Sequence, residues 1–211
     1  MDTCQKQYVD FIKKVCIKYN CTDALQELLQ GFDAFCSMKG TPNQKTAANS
    51  QRPDVGESVR IGDLEWTASN LQMPADPENG IFVENGESYF TWKAAKEAAK
   101  RAGRGWRLPT QDDWENLVAA CGGSDKATVQ LRSVDGWSGK PGKDAFGFAG
   151  KPTGSYSNFR KSVIGAGEYA EYWSATSVYR DMAVEYDLSC TAFMDNLEEK
   201  MSALSVRLVR G

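Results

Sequence analysis

Two pairs of acids, Asp112 with Asp113 and Glu168 with Glu171, come closest in this chain to a catalytic arrangement, because neighbouring carboxylates can divide the work of general acid and general base. Each pair has a plainer reading. Asp112 and Asp113 follow Thr110 and suit the acidic first turn of a helix that Thr110 caps, and Glu168 and Glu171 suit a solvated face. Histidine is absent, which excludes Ser-His and Cys-His nucleophile pairs, imidazole metal sites and the commonest general base. The six cysteines, at positions 4, 16, 21, 36, 121 and 190, include no Cys-x-x-Cys, and the acids are not spaced as an oxygen cage. No catalytic residue, metal site or cofactor is therefore expected. The side chains left to consider are those that could grip a ligand. Val178, Tyr179, Arg180, Asp181, Thr191, Phe193, Asp195 and Asn196 form such a set, since Tyr, Arg and Phe are the types that make binding anchors.

The clearest local landmark is Gly105-Trp106-Arg107-Leu108-Pro109-Thr110, followed by Asp112, Asp113 and Trp114. Pro109 fixes its own φ and pushes Leu108 toward extended geometry, and Thr110 is placed to cap the helix that carries Trp114, Leu117 and Val118. Turn chemistry explains each of these residues, so the stretch reads as structural punctuation.

At 211 residues and 41% hydrophobic, the chain has apolar material for one core plus an appendage. Its net charge of −3 is mixed along the sequence, with no basic stripe for phosphates and no polybasic membrane patch. Neither nucleic acid nor a lipid surface is an expected partner. No run reaches the roughly 20 apolar residues of a membrane span. Met1-Asp2-Thr3-Cys4 lacks the pattern of a secretion signal, which leaves a chain that is intracellular as made or one already trimmed.

Residues 1–39 are expected to form a helical hairpin. Tyr8, Phe11, Ile12, Val15 and Tyr19 recur at helical spacing, Asn20-Cys21-Thr22-Asp23 supplies a turn, and Leu25, Leu28, Leu29, Phe32 and Phe35 repeat the period. So small a unit must dock its stripes on the main domain or on another chain. Antiparallel helices would set Cys4 near Cys36 and Cys16 near Cys21, either as cross-links or as four buried free thiols. Residues 40–54 are polar and read as a linker, and a second domain is expected over 55–211.

That domain opens with strands around Gly62-Asp63, a short strand at Ile81-Phe82-Val83 and a turn at Glu84-Asn85-Gly86-Glu87. Thr91 is placed to cap an alanine-rich helix ending near Gly103. After the landmark helix, which ends at Cys121-Gly122-Gly123, a glycine-rich stretch from Gly136 to Gly167 reads as a long loop held by aromatics. Strands return at Glu171–Thr176, at Met182–Ser189 and from Leu204 to the end. Alternation places Met182, Val184, Tyr186 and Leu188 inward, with Ala183, Glu185, Asp187 and Ser189 outward.

From about Val55 onward the sequence resembles the Fibrobacter succinogenes major paralogous domain. The matching pieces, in order, are Ile61-Gly62-Asp63-Leu64-Glu65-Trp66 with Asn70-Leu71; Tyr89-Phe90-Thr91-Trp92 with Ala94-Ala95; the landmark with Trp114; Asp144-Ala145-Phe146-Gly147-Phe148; Tyr172-Trp173-Ser174-Ala175-Thr176; and Ser205-Val206-Arg207-Leu208-Val209-Arg210. The resemblance implies an α+β, C-type-lectin-like domain related to the formylglycine-generating-enzyme architecture. In it, two helices lie against small twisted antiparallel sheets and tryptophans hold long loops. It does not imply catalysis, because the related enzymes use active-site cysteines or histidines and this chain has no histidine and no paired cysteines near its C-terminal strands; the Glu-Pro-Asn and Trp-Asn-Asp motifs of calcium-type lectins are missing too. Nothing before residue 50 matches.

The closing segment also resembles the variable region of proteins diversified by retroelements, in which such a scaffold ends in a sheet of randomised exposed residues. Mutagenesis of adenines in Asn codons cannot produce Glu, Lys, Gln, Met or Trp, and Ser177–Asp181 and Asp187–Phe193 contain none of the five. This implies a display protein on a phage particle or bacterial cell surface that presents the anchor set to a protein or glycan ligand. A structural or adhesion domain without diversification remains open beside it, as does an enzyme using the carboxylate pairs. On the display reading, Tyr179, Arg180, Asp181, Thr191 and Phe193 are expected to share one exposed surface.

Overall fold

A computed structural model of the protein describes residues 53–211. The expected hairpin over 1–39, nearly all of the 40–54 linker, and Cys4, Cys16, Cys21 and Cys36 lie outside the described residues. The described part is α+β, with three helices and four small antiparallel sheets.

The early elements follow local chemistry. Strands β1 (Ser58–Ile61) and β2 (Leu64–Thr67) pair antiparallel with Ile61 opposite Leu64, which leaves Gly62-Asp63 as a two-residue turn. Strands β3 (Ile81–Glu84) and β4 (Glu87–Phe90) turn through Asn85 and Gly86, whose φ values of 53° and 79° are both positive, as a hairpin turn matched to strand twist requires. Helix α1 (Trp92–Ala102) starts at Thr91, whose hydroxyl accepts from the Ala94 N–H. Its buried stripe is Ala94, Ala95, Ala98, Ala99 and Ala102, and side chains this small let the helix lie close against the sheet strands. Helix α2 (Gln111–Ala120) begins with a full capping box between Thr110 and Asp113, and buries Trp114 and Leu117.

Two features of the middle of the chain differ from the sequence expectation. Helix α3 (Ser124–Leu131) follows directly on Gly122-Gly123; Gly123 gives it no side-chain cap, and it is held instead by burying Ala127, Thr128 and Leu131. The glycine-rich stretch is not wholly loop, since strands β5 (Ser155–Ser157) and β6 (Ser162–Ile164) form a short hairpin within it. The last sheet consists of β7 (Tyr169–Ser177), β8 (Met182–Ser189) and β9 (Phe193–Glu199) in that order, with a bulge in β7 between Trp173 and Ser177.

The segment from Ala203 to Arg210 is the seam that joins these sheets. Ala203 bonds Tyr156, Leu204 bonds Phe90, Ser205 bonds Glu171 and Trp173, Val206 bonds Leu71, Leu208 bonds Thr67 and Val209 bonds Arg107, all backbone to backbone. Only Val209 and Arg210 form a regular strand, β10, which pairs with β2. Ser205 and Arg207, which alternate with Leu204, Val206 and Leu208 in the sequence, are as buried as those apolar residues. Apolar clusters cover both sides of the seam, so every residue from Ala203 to Val209 is buried. One cluster gathers Trp66, Trp114, Phe148, Tyr172, Tyr186 and Phe193; the other gathers Phe90, Trp106, Trp173 and the alanines of α1. Arg207 is accommodated there by donating to the carbonyls of Thr67, Phe148 and Ala149 and to Asn70 Oδ1, with its guanidinium 4.3 Å from the Phe148 ring centroid.

Candidate ligand-binding surface

Strand geometry separates the anchor residues into groups. The β7–β8 tip carries Val178, Tyr179, Arg180 and Asp181, all exposed, while Thr191 sits in the β8–β9 turn at the other end of β8. A strand of eight residues spans on the order of 23 Å, so Thr191 does not share a surface with the tip. Phe193 is 2% exposed, with its ring 5.8 Å from Trp114 and 5.5 Å from Tyr186. It opens β9 on the side that α2 covers, and there it belongs to the core and not to a displayed surface. Asp195 and Asn196 are exposed in the middle of β9, where Asp195 accepts from Gln111 Nε2.

The alternation expected for β8 also fails on one side. Ala183 and Glu185 were placed outward, yet both are buried, because Trp173 and the alanine helix cover that side of the sheet too. Asp187 and Ser189 are half-buried.

What the structure does gather lies at the tip. The Lys200 ammonium donates to Ser177 Oγ at 2.6 Å and to the carbonyls of Tyr179 and Arg180 at 2.8 and 3.1 Å, while the Lys200 N–H bonds the Asp181 carbonyl. The same ammonium lies 4.6 Å from the centroid of Trp92, whose Nε1 donates to the Ser174 carbonyl. The tip is thereby tied to α1 and to the body of the sheet. Directly after Lys200 comes Met201, 72% exposed, whose carbonyl accepts from Asn158 Nδ2 at 2.7 Å. That bond brings in the β5–β6 hairpin with Phe159, 96% exposed, beside Arg160 and Lys161. Lys200 and Asn158 thus link three segments that each carry a large exposed side chain, Tyr179 (61% exposed), Met201 and Phe159, with Arg160, Lys161 and Arg180 near them in sequence. Sequence reading missed Phe159 and Met201, and the one signal for Phe159 was its setting among Asn158, Arg160 and Lys161, a polar turn with no apolar period.

Of the two carboxylate pairs, Asp113 is buried and Glu171 half-buried, while Asp112 and Glu168 are exposed. Asp113 accepts from both terminal nitrogens of Arg107 and from Thr110, so although burial pushes its carboxyl up, these donors hold it below the usual carboxylate range. Glu171 is not on a solvated face: burial pushes it up to about 7, with Glu198 and Asp187 adding to the shift. Glu185, 3% exposed, is pushed up to about 9 by burial and then by Glu171, and among the described residues its Oε2 has no hydrogen-bond partner. No group of three or more Cys, Asp or Glu among the described residues is arranged to hold a metal ion. No described helix is long and apolar enough to cross a membrane. Cys121 is buried and Cys190 exposed, both as free thiols.

These features define a class: a small α+β domain whose sheets and seam hold exposed hairpin tips on a fixed frame. The chain belongs to the Fibrobacter succinogenes major domain family, whose model matches residues 76–210. No curated protein and no solved structure matches it.

Proposed function

We propose that the protein is a non-catalytic ligand-binding domain of C-type-lectin-like fold, which presents the end of its C-terminal sheet to a protein or glycan ligand. The observation that carries this reading is the exposure of Tyr179, Met201 and Phe159 on three segments that the bonds of Lys200 and Asn158 tie to one another. Large apolar side chains left in water on an ordered frame are what binding anchors look like before a partner covers them. Val178, Arg180 and Asp181 flank them. Of the two segments that resemble retroelement-diversified windows, Ser177–Asp181 suits variation, because it is an exposed tip. Asp187–Phe193 does not suit it as a whole, since Leu188 and Phe193 are core residues. This second observation favours an adhesion domain in which that part of the sheet is constant.

The test is a triple substitution, Phe159→Ala with Tyr179→Ala and Met201→Ala, compared with the parent chain on a glycan microarray and on intact bacterial cells. Surface changes of this kind alter stability by about 0.5 kcal/mol or less each, so the variant should fold normally and lose retention on whichever probe the parent binds. Equal retention by both would sink the proposal.

A further inference from the structure

We propose that the outer edge of β9 is a docking site for an extended, basic segment of a partner protein, which adds to the sheet as a fourth strand. The inference uses the β9 backbone and stands apart from the exposed side chains at the tip.

The pairing of β8 with β9 fixes which backbone groups point outward. Ser189 N bonds the Ala192 carbonyl and Lys200 N bonds the Asp181 carbonyl, so these pairs are hydrogen-bonded across the ladder. In an antiparallel pair the hydrogen-bonded positions alternate, and the register places Asp187 opposite Met194, Glu185 opposite Asn196 and Ala183 opposite Glu198 at bonded positions. The N–H and C=O groups of Phe193, Asp195, Leu197 and Glu199 therefore point away from β8.

Two of these four are already occupied. The Ser124 hydroxyl donates to the Phe193 carbonyl at 2.7 Å and receives the Phe193 N–H at 3.4 Å, standing where the backbone of a neighbouring strand would stand. Glu199 is satisfied locally, its N–H by Glu198 Oε1 and its carbonyl by the Ser202 N–H. Between them, among the described residues, Asp195 and Leu197 offer their outward backbone groups to nothing. The edge is also apolar where it is open, since Met194 and Leu197 are large exposed hydrophobics on opposite sides of the strand. An incoming strand would find backbone partners and a contact for alternate side chains on both sides.

Charge selects the occupant. Asp195 and Glu199 flank Leu197 on one side of the sheet and Glu198 lies on the other, while Lys200, the next cation along the chain, is committed to the Tyr179 and Arg180 carbonyls. A second copy pairing through β9 would bring this acidic strand against itself, and like charges facing each other across strands are destabilising. A segment alternating basic and apolar residues sets its basic side chains against Asp195 and Glu199 on one side and its apolar ones against Met194 on the other.

The experiment uses the full chain and a fluorescent probe peptide of alternating Lys and Val, followed by anisotropy, with an alternating Lys-Pro peptide as the control that keeps the charge but cannot form a strand. The Lys-Val peptide should bind and the Lys-Pro peptide should not. Leu197→Pro removes an outward N–H that the β8 ladder does not use, so it should leave the thermal midpoint nearly unchanged and weaken binding by about tenfold or more. If that variant does not fold, the double reversal Asp195→Lys with Glu199→Lys, both at exposed positions, should weaken binding to a similar degree. The proposal is overturned by any of four results: no binding of Lys-Val peptide to the parent chain, equal binding of the Lys-Pro peptide, unchanged binding by the folded variants, or a dimer in sedimentation that Leu197→Pro dissolves.

Discussion

Glu171 and Glu185 stand diagonally across the β7–β8 pair on the same side of the sheet, since Glu171 is opposite Asp187 and Glu185 is opposite Trp173. Burial pushes both carboxyls up, to about 7 and about 9, and Glu171 adds to the shift of Glu185.

A pH dependence follows from that pair. The unfolded chain releases these protons near the ordinary value of 4.5, whereas the folded chain keeps them to about 7 and about 9. Where the native state binds more protons than the unfolded state, stability falls as pH rises. The contribution of these two groups is therefore fully present below about 4.5 and is lost across the window up to about 9. Thermal midpoints measured across that window should decline, and Glu185→Gln should flatten the decline and raise the midpoint at its alkaline end. A variant as pH-sensitive as the parent would show that Glu185 is not the group responsible.

Arg207→Met should be severely destabilising. Its guanidinium donates to three backbone carbonyls and to Asn70, and Met supplies volume but no donor. Each acceptor left buried and unpaired costs about 1–3 kcal/mol, so denaturant unfolding should show a total loss of about 3 kcal/mol or more.

Asp113→Ala should lower stability by about 1–3 kcal/mol, because it removes both the reciprocal cap of α2 and the partner of Arg107. Its sign with pH is opposite to that of Glu185. Asp113 is held below its ordinary value, so its contribution is present above about 3.8 and is lost as pH falls further. Denaturant titration near neutrality and in acid distinguishes the two: the gap between parent and variant should close in acid.

Trp106→Ala should cost about 3–5 kcal/mol. The side chain is buried in the cluster that α1 closes, and Arg210 lies 4.5 Å from its ring centroid. Calorimetry gives the answer directly, and an unchanged midpoint would place Trp106 outside the core.

The parts of the fold legible in the sequence are those decided within a few residues. Thr91 and Thr110 mark helix starts because a hydroxyl there satisfies an N–H that the helix leaves free, and Asn85-Gly86 marks a hairpin because few other pairs accept two positive φ angles. Helix α3 was not legible, since its start at Gly123 has no capping side chain and its stability comes from tertiary burial. Period-two reading failed at Ala183 and Glu185 for one reason: alternation assumes one dry and one wet side, and β8 is dry on both there. For the site, exposure at Tyr179 and Asp181 was legible from the polar tip around them. The core position of Phe193 was not, because its place depends on a contact with Trp114, which lies far away in sequence.

The seam from Ala203 to Arg210 also bears on how quickly the domain can form. Its partners lie far back along the chain: Asn70 is separated from Ser205 by 135 residues, and Glu65 from Arg210 by 145. Contacts that close such long loops must be reached at a conformational-entropy cost before they return any stabilisation, and domains dominated by them fold in milliseconds to seconds, not microseconds. Until the seam is in place, β7, β4 and β2 each keep an unzipped edge. The interval in which this protein is most open to misassociation is set by how long one eight-residue segment takes to find its slot.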